Sequence, residues 1–243
     1  MKPSKRGDAS AAPTFTLEAA LWRQGFRLVA GVDEVGRGPL AGPVAAGAVV
    51  LPPRLRFDWL DYVRDSKELA PSTREELAAC IWRDALAVGI GLVSPATIDE
   101  IGIVQATRRA MLAAIAQLAC TPEYLIIDFL RLPDLALPQK GIVDGDALSL
   151  SIACASIVAK VSRDLLMVES DGRFAGYGFA RNKGYATREH LAGLGRLGPC
   201  PIHRQSYAPV REALSCHSER SEESRSEESE TLRCAQGDKK PHA

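Results

Sequence analysis

Residues 31–51 read GVDEVGRGPLAGPVAAGAVVL, from Gly31 to Leu51. An apolar run reaches two adjacent carboxylates, Asp33 and Glu34, turns on Gly36-Arg37-Gly38, and becomes apolar again from Val44. Phe26 to Val32 reads as one strand and Val44 to Leu51 as its antiparallel partner, ended by Pro52-Pro53. Acids at a strand end are poor core material. They suit a site that concentrates negative charge beside a closely approaching backbone. Neighbouring strand residues point to opposite faces, so the two acids share a site only if the strand twists or bulges, or if Glu34 reaches around its edge.

Outward from that hairpin, Ala87 to Val93 reads as a third strand closing an antiparallel meander. Ser72-Thr73-Arg74-Glu75 has the capping-box pattern and opens a helix running to about Leu86. A helix is expected from about Ile103 to Ala119, then a short strand over Tyr124–Ile127 ending on Asp128, and another at Gly141–Val143. Ser149 to about Glu169 and Thr187 to about Leu197 are further helices, and Thr16 caps a short one over Leu17–Gln24. Strands followed by strand–helix alternation predict an α/β fold, a mixed sheet with helices on its faces. The expected division is a flexible arm with a short helix over residues 1–25, one folded domain over 26–214, and a disordered tail over 215–243. In that tail Arg220–Ser224 repeats as Arg225–Ser229, in a stretch too poor in apolar residues to repay ordering.

The 243 residues are 46% hydrophobic and 25% charged, as in ordinary soluble domains. No apolar run approaches the roughly 18 residues of a membrane span, and the N-terminus has no secretory h-region. Six cysteines without a C-x-x-C pair argue against zinc and for reduced thiols in the cytoplasm. The formal charge is zero, yet Gly172–Arg211 holds seven basic residues against one acid, Glu189, interleaved with Phe174, Tyr177, Phe179, Tyr185 and Tyr207. That mixture suits phosphate neutralisation and stacking on nucleic acid.

Four carboxylates form the candidate group: Asp33, Glu34, Asp128 and Asp164. Asp164 follows Ile157 by seven residues, within about 20° around a helix axis, and so shares the inward face, with Lys160 one turn earlier as an alternative partner. An all-oxygen set suits Mg²⁺ or Mn²⁺, and two such ions suit in-line displacement at phosphorus. Gly36, Gly38 and Gly42 miss the dinucleotide fingerprint by one residue, and Pro43 opens a strand rather than a helix, which excludes a Rossmann phosphate loop.

The chain resembles bacterial ribonuclease HII from about Leu28 to Val210. The segments that carry the likeness are GVDEVGRGPLAGPVAAGAV, DSKEL (65–69), IID (126–128), SLSIACASIVAKVSRD (149–164), NKGYAT (182–187) and HRQSYAPV (203–210). The resemblance implies an RNase H-like fold with a five-stranded mixed sheet and a C-terminal helical extension. It implies an endonuclease that hydrolyses the RNA strand of RNA/DNA hybrids and incises 5′ of single ribonucleotides in duplex DNA, leaving 5′-phosphate and 3′-hydroxyl, with a role in replication and ribonucleotide repair. It further implies Mn²⁺ or Mg²⁺ held by Asp33, Glu34, Asp128 and Asp164; a monomer without membrane association is the default expectation. Gly36-Arg37-Gly38 matches the loop that senses the ribose 2′-hydroxyl, Tyr185 matches the tyrosine that stacks on that sugar, and Lys67 matches a lysine near the substrate. Phe129 stands where the family usually has glycine, and Asp144 where it commonly has lysine.

Overall fold

The structure, a computed structural model, describes residues 12–53 and 57–215. The tail from residue 216, with its repeat, and residues 1–11 of the arm lie outside the described residues. Strands β1 (Val29–Val35), β2 (Val44–Val50), β3 (Ala87–Val93), β4 (Tyr124–Asp128) and β5 (Gln139–Ile142) form one mixed sheet in the order β3-β2-β1-β4-β5. β2 pairs antiparallel with both β1 and β3, whereas β1, β4 and β5 run parallel. The expected meander is present, but β1 begins and ends later than its sequence suggests. Pairing with β2 continues to Val35, opposite Ala45, and carries Asp33 and Glu34 within the strand.

The helices include α1 (Thr16–Arg23), α2 (Pro71–Asp84), α3 (Pro95–Ile101), α4 (Ile103–Ala116), α5 (Gly145–Leu148), α6 (Leu150–Arg173), α7 (Phe179–Asn182) and α8 (Arg188–Leu197). The capping box at Ser72 does not form. Pro71 occupies the first helical position, where its missing N–H costs nothing, so the helix starts one residue early and Ala70 caps it without a side-chain bond. Ser149 and Thr187 cap α6 and α8 by accepting from the Ile152 and His190 N–H groups at 3.2 and 3.3 Å, each contributing about 1 kcal/mol.

Strand alternation sorts the core onto two faces. Ala30, Val32, Ala46, Ala48, Leu125 and Ile127 meet Ala106, Ala110, Met111 and Ala114 of α4. The other face carries α6, whose first half, Leu150–Ala159, is buried on all sides, with Leu77, Ala78 and Ile81 of α2 over it. A Cβ on Gly31 would fall 2.2 Å from the Ser151 carbonyl carbon, so the α6 backbone rests directly on β1 only because that position has no side chain. The α1 helix of the expected flexible arm is docked. The buried Glu18 carboxylate accepts from Ser149 Oγ at 2.6 Å and from the Ser151 N–H at 2.9 Å, joining it to the start of α6. Among the described residues no helix is long and apolar enough to cross a membrane.

Beyond α6 the chain folds back over the loop between β1 and β2. The Leu40 N–H donates to the Gly184 carbonyl at 2.8 Å, the Gly42 N–H to Ile202 at 2.9 Å, and the Arg204 N–H to Leu40 at 2.8 Å. The C-terminal segment therefore fixes the turn beside the acids.

Candidate active site

The β1–β4 pairing stops at Val32 opposite Ile127, so Asp33, Glu34 and Asp128 all stand past the last paired residues of these parallel strands. Open α/β sheets bind ligands at that carboxyl edge. Alternation puts Asp33 and Asp128 on the α6 face and Glu34 on the opposite one. With β4 no longer alongside, Glu34 reaches around the free edge, and one carboxylate oxygen from each of the three lies within 4.8 Å of the others. The glycine turn adds the remaining irregularity, with Gly36 at φ +92°.

The carboxylates are held from behind. Asp33 Oδ1 accepts from the Glu34 N–H at 2.7 Å, and Asp128 Oδ1 from the Gly145 N–H at 2.7 Å. Burial pushes the Asp33 carboxyl well above its ordinary value, and the neighbouring Glu34, Asp128 and Asp146 charges push the same way. Asp128 is pushed up to about 6, by burial first, with Asp146 and Glu34 adding to it. Glu34 is raised by burial, while Arg37, with its Nη1 3.2 Å from Glu34 Oε1, opposes the shift. Glu34 Oε2 is buried with no hydrogen-bond partner. Crowded, desolvated oxygens with an orphaned acceptor fit a hard divalent cation such as Mg²⁺ or Mn²⁺.

The fourth expected ligand is a correction. Asp164 does not reach this group: its Oδ1 takes a 2.8 Å bond from Lys160 Nζ, and it lines a neighbouring pocket with Arg74, Arg181 and Lys183. Periodicity around the helix axis fixes direction and leaves height open. Seven residues along α6 is about 10 Å of axial rise, so Asp164 lies two turns past Ile157, away from the strand ends. Asp146 lies in the cleft instead. It is buried in the single turn of α5, lines the same cleft as Asp33, Glu34 and Asp128, and has its Oδ2 3.6 Å from Lys67 Nζ. The signal was Asp144-Gly145-Asp146 directly after β5, a second strand end carrying acid, as β4 does at Asp128. Asp144 itself is exposed, at φ +52°.

Gly36, Arg37, Gly38, Lys67 and Tyr185 all line this cleft. The Tyr185 ring is half exposed and lies against Gly38. Its backbone is pinned by bonds to Asn182 and Thr187, and its carbonyl is 2.9 Å from His190 Nδ1. The basic-aromatic window divides. Arg204 is fully buried, Arg181 pairs with Glu189, and Tyr177 and Phe179 stack in the interior, so much of the window is structural. Phe129 is exposed beside Asp128 at φ +54°, a backbone suited to glycine. Phe129→Gly is expected to relieve strain on the order of 1 kcal/mol and raise turnover; an unchanged or lower rate in steady-state assays refutes this.

Asp128 has a folded pKa of about 6 against an ordinary 3.8, so between these values the folded state keeps a proton that the unfolded chain has lost. Metal-free stability should therefore fall as pH rises through that window. A cation that binds the ionised cluster reverses the loss. Saturating Mg²⁺ or Mn²⁺ is expected to raise the unfolding midpoint much more at pH 7 than at pH 4.5, and an equal rise at both would refute it.

Known proteins share the sequence and the fold. The profile of the family described as Ribonuclease HII matches residues 30–210. Ribonuclease HII of Dehalococcoides mccartyi is 53% identical over 203 residues, 84% of this chain and 96% of that protein. That of Geobacter metallireducens is 53% identical over 201 residues, 83% and 93% of the two chains. Among solved structures, ribonuclease H2 from Pyrococcus horikoshii OT3 is similar with a TM-score of 0.65 at 26% identity, covering 76% of this chain and 96% of its own. Bst-RNase HIII in complex with Mn²⁺ shares the fold at a TM-score of 0.63 and 18% identity, over 80% and 71% of the two chains.

Proposed function

Because the chain belongs to the ribonuclease HII family, whose members are metal-dependent ribonucleases H, we propose that it cleaves the RNA strand of RNA/DNA hybrids and also incises duplex DNA 5′ of a single ribonucleotide, leaving 5′-phosphate and 3′-hydroxyl. The observation that carries this reading is one cleft holding both the acids and the Gly36-Arg37-Gly38 turn with Tyr185. The 2′-hydroxyl is the group that separates ribose from deoxyribose at a given position, so a sugar-reading wall beside the cleavage site yields the specificity.

In this reading Asp33, Glu34, Asp128 and Asp146 hold the cations. Bound Mg²⁺ or Mn²⁺ supplies an activated water and steadies the leaving oxygen. Tyr185 stacks on the sugar at the junction, and Gly38 lets that sugar approach the backbone. Lys67, largely exposed beside Asp65 and Asp146, meets a phosphate oxygen and offsets the local negative charge. Arg37 holds Glu34 in position. The folded unit, with α1 docked on it, acts as a monomer in ribonucleotide removal from DNA.

The test is cleavage of labelled duplex DNA carrying one ribonucleotide, with Mg²⁺ or Mn²⁺, beside an all-DNA duplex and a continuous hybrid. A single cut 5′ of the ribonucleotide, absent from the all-DNA control, is expected. Cleavage of the hybrid alone would overturn the single-ribonucleotide reading.

A further inference from the structure

Two guanidinium groups lie under the Gly36–Pro43 loop, both fully buried and neither in an ion pair among the described residues. Arg204 donates from Nε to the Gly42 carbonyl at 3.0 Å, from Nη1 to Arg37 at 2.9 Å, and from Nη2 to Gly36 at 2.6 Å and Gly42 at 2.9 Å. Arg163 donates to the carbonyls of Pro43 at 2.9 Å, Ala41 at 3.1 Å and Lys183 at 3.0 Å. Tyr207 adds its hydroxyl, which donates to the Arg37 carbonyl at 2.6 Å and accepts from Arg204 Nη1 at 3.1 Å. Gly36 admits this arrangement, since a Cβ there would meet Arg163 Nε at 2.2 Å.

Buried charges without a counter-charge are a poor way to stabilise a fold, because apolar residues of like volume commonly do as well. What these groups accomplish is orientation. A peptide unit is planar and trans, with its N–H opposite its C=O, and no cis peptide occurs among the described residues. Drawing the Gly36 carbonyl inward therefore turns the Arg37 N–H outward, and drawing the Arg37 carbonyl inward does the same for the Gly38 N–H. Neither N–H has an acceptor among the described residues, and both residues line the acidic cleft.

We propose that Arg204 and Tyr207 are positioning residues for ribose recognition: they hold the Gly36 and Arg37 carbonyls inward so that the Arg37 and Gly38 N–H groups face the cleft as a fixed donor pair for the sugar 2′-hydroxyl. This rests on the proposed ribonucleotide-directed function. It assigns the discrimination to side chains some 170 residues from the turn in sequence, which themselves never touch the substrate. Arg163 anchors the far end of the same loop and leaves the donor pair itself to Arg204 and Tyr207.

The test compares wild type, Tyr207→Phe and Arg204→Lys. Binding is measured without divalent metal, so that nothing is cut, to a duplex with one ribonucleotide and to the identical all-DNA duplex. Thermal unfolding is followed in parallel, and cleavage of the ribonucleotide duplex is then measured with Mn²⁺. Wild type is expected to prefer the ribonucleotide duplex. Tyr207→Phe, which removes the hydroxyl's bond to the Arg37 carbonyl and its bond from Arg204, should shrink that preference about three- to tenfold while leaving the all-DNA affinity unchanged. Arg204→Lys keeps the charge, loses the fork, and should shrink it further. Equal weakening on both duplexes, or a preference unchanged in a folded Tyr207→Phe, overturns the proposal. If Arg204→Lys does not fold, Tyr207→Phe decides alone. A wild type that neither prefers nor cuts the ribonucleotide duplex would remove the underlying function, an outcome distinct from a wild type that does both while its variants keep the preference.

Discussion

Asp146→Asn is expected to lower hybrid cleavage by about 10³-fold, while Asp164→Asn stays within a few-fold of wild type. The magnitude is that of removing one member of a catalytic group that acts as a unit. Asp146 is buried in the cleft, near enough to Asp33 and Asp128 for its charge to raise both carboxyls. Asp164 spends its charge on Lys160 in the adjoining pocket. Its loss frees a half-buried ammonium and should cost about 0.5 kcal/mol of stability, typical of an i,i+4 pair. Single-turnover rates with Mn²⁺ on one hybrid, both variants beside wild type, settle the matter. A collapse in Asp164→Asn with Asp146→Asn active would restore the helix acid to the site and remove the single-turn one.

Asp33→Asn should separate stability from activity. The metal-free protein is expected to gain about 1–2 kcal/mol at pH 7, because the amide is nearly isosteric and removes a buried charge crowded by Glu34 and Asp128. Cleavage should fall by on the order of 10³-fold or more, since a buried carboxylate in the middle of the group is the hardest to replace. Denaturant unfolding in chelator and cleavage assays with Mg²⁺ or Mn²⁺ read the two effects independently. A less stable Asp33→Asn would mean that the carboxylate serves the fold, and full activity would remove it from the site.

Much of the architecture could be read locally. β2 and β3 appear at the expected residues because strand alternation and the flanking turn residues act within a few positions. α6 and α8 begin within a residue of their expected starts because a cap such as Ser149 or Thr187 is a three-residue event, whereas Thr16 is the first residue of α1 rather than its cap. The box at Ser72 failed for an equally local reason, Pro71 one residue earlier. The acids of β1 and β4 were legible because each ends an apolar run, where a carboxylate is out of place.

Asp146 and Asp164 show where local reading stops. Periodicity around an axis says which way a side chain points and nothing about where along the axis the sheet ends, so Asp164 was assigned to an edge it does not reach. The lone turn of α5 is too short to have a period, and its acid is marked only by its place just after a strand end. The sequence by itself determined the strand pattern, the small residues that let α6 lie on β1, the glycine turn and three of the acids. Only the tertiary structure decided that Asp146 lines the cleft of the other acids, that Glu34 turns a strand edge left free by β4, and that Arg204 and Tyr207 orient the turn. These are contacts between positions far apart in the chain, set by where packed elements end, and no short window of residues contains that length.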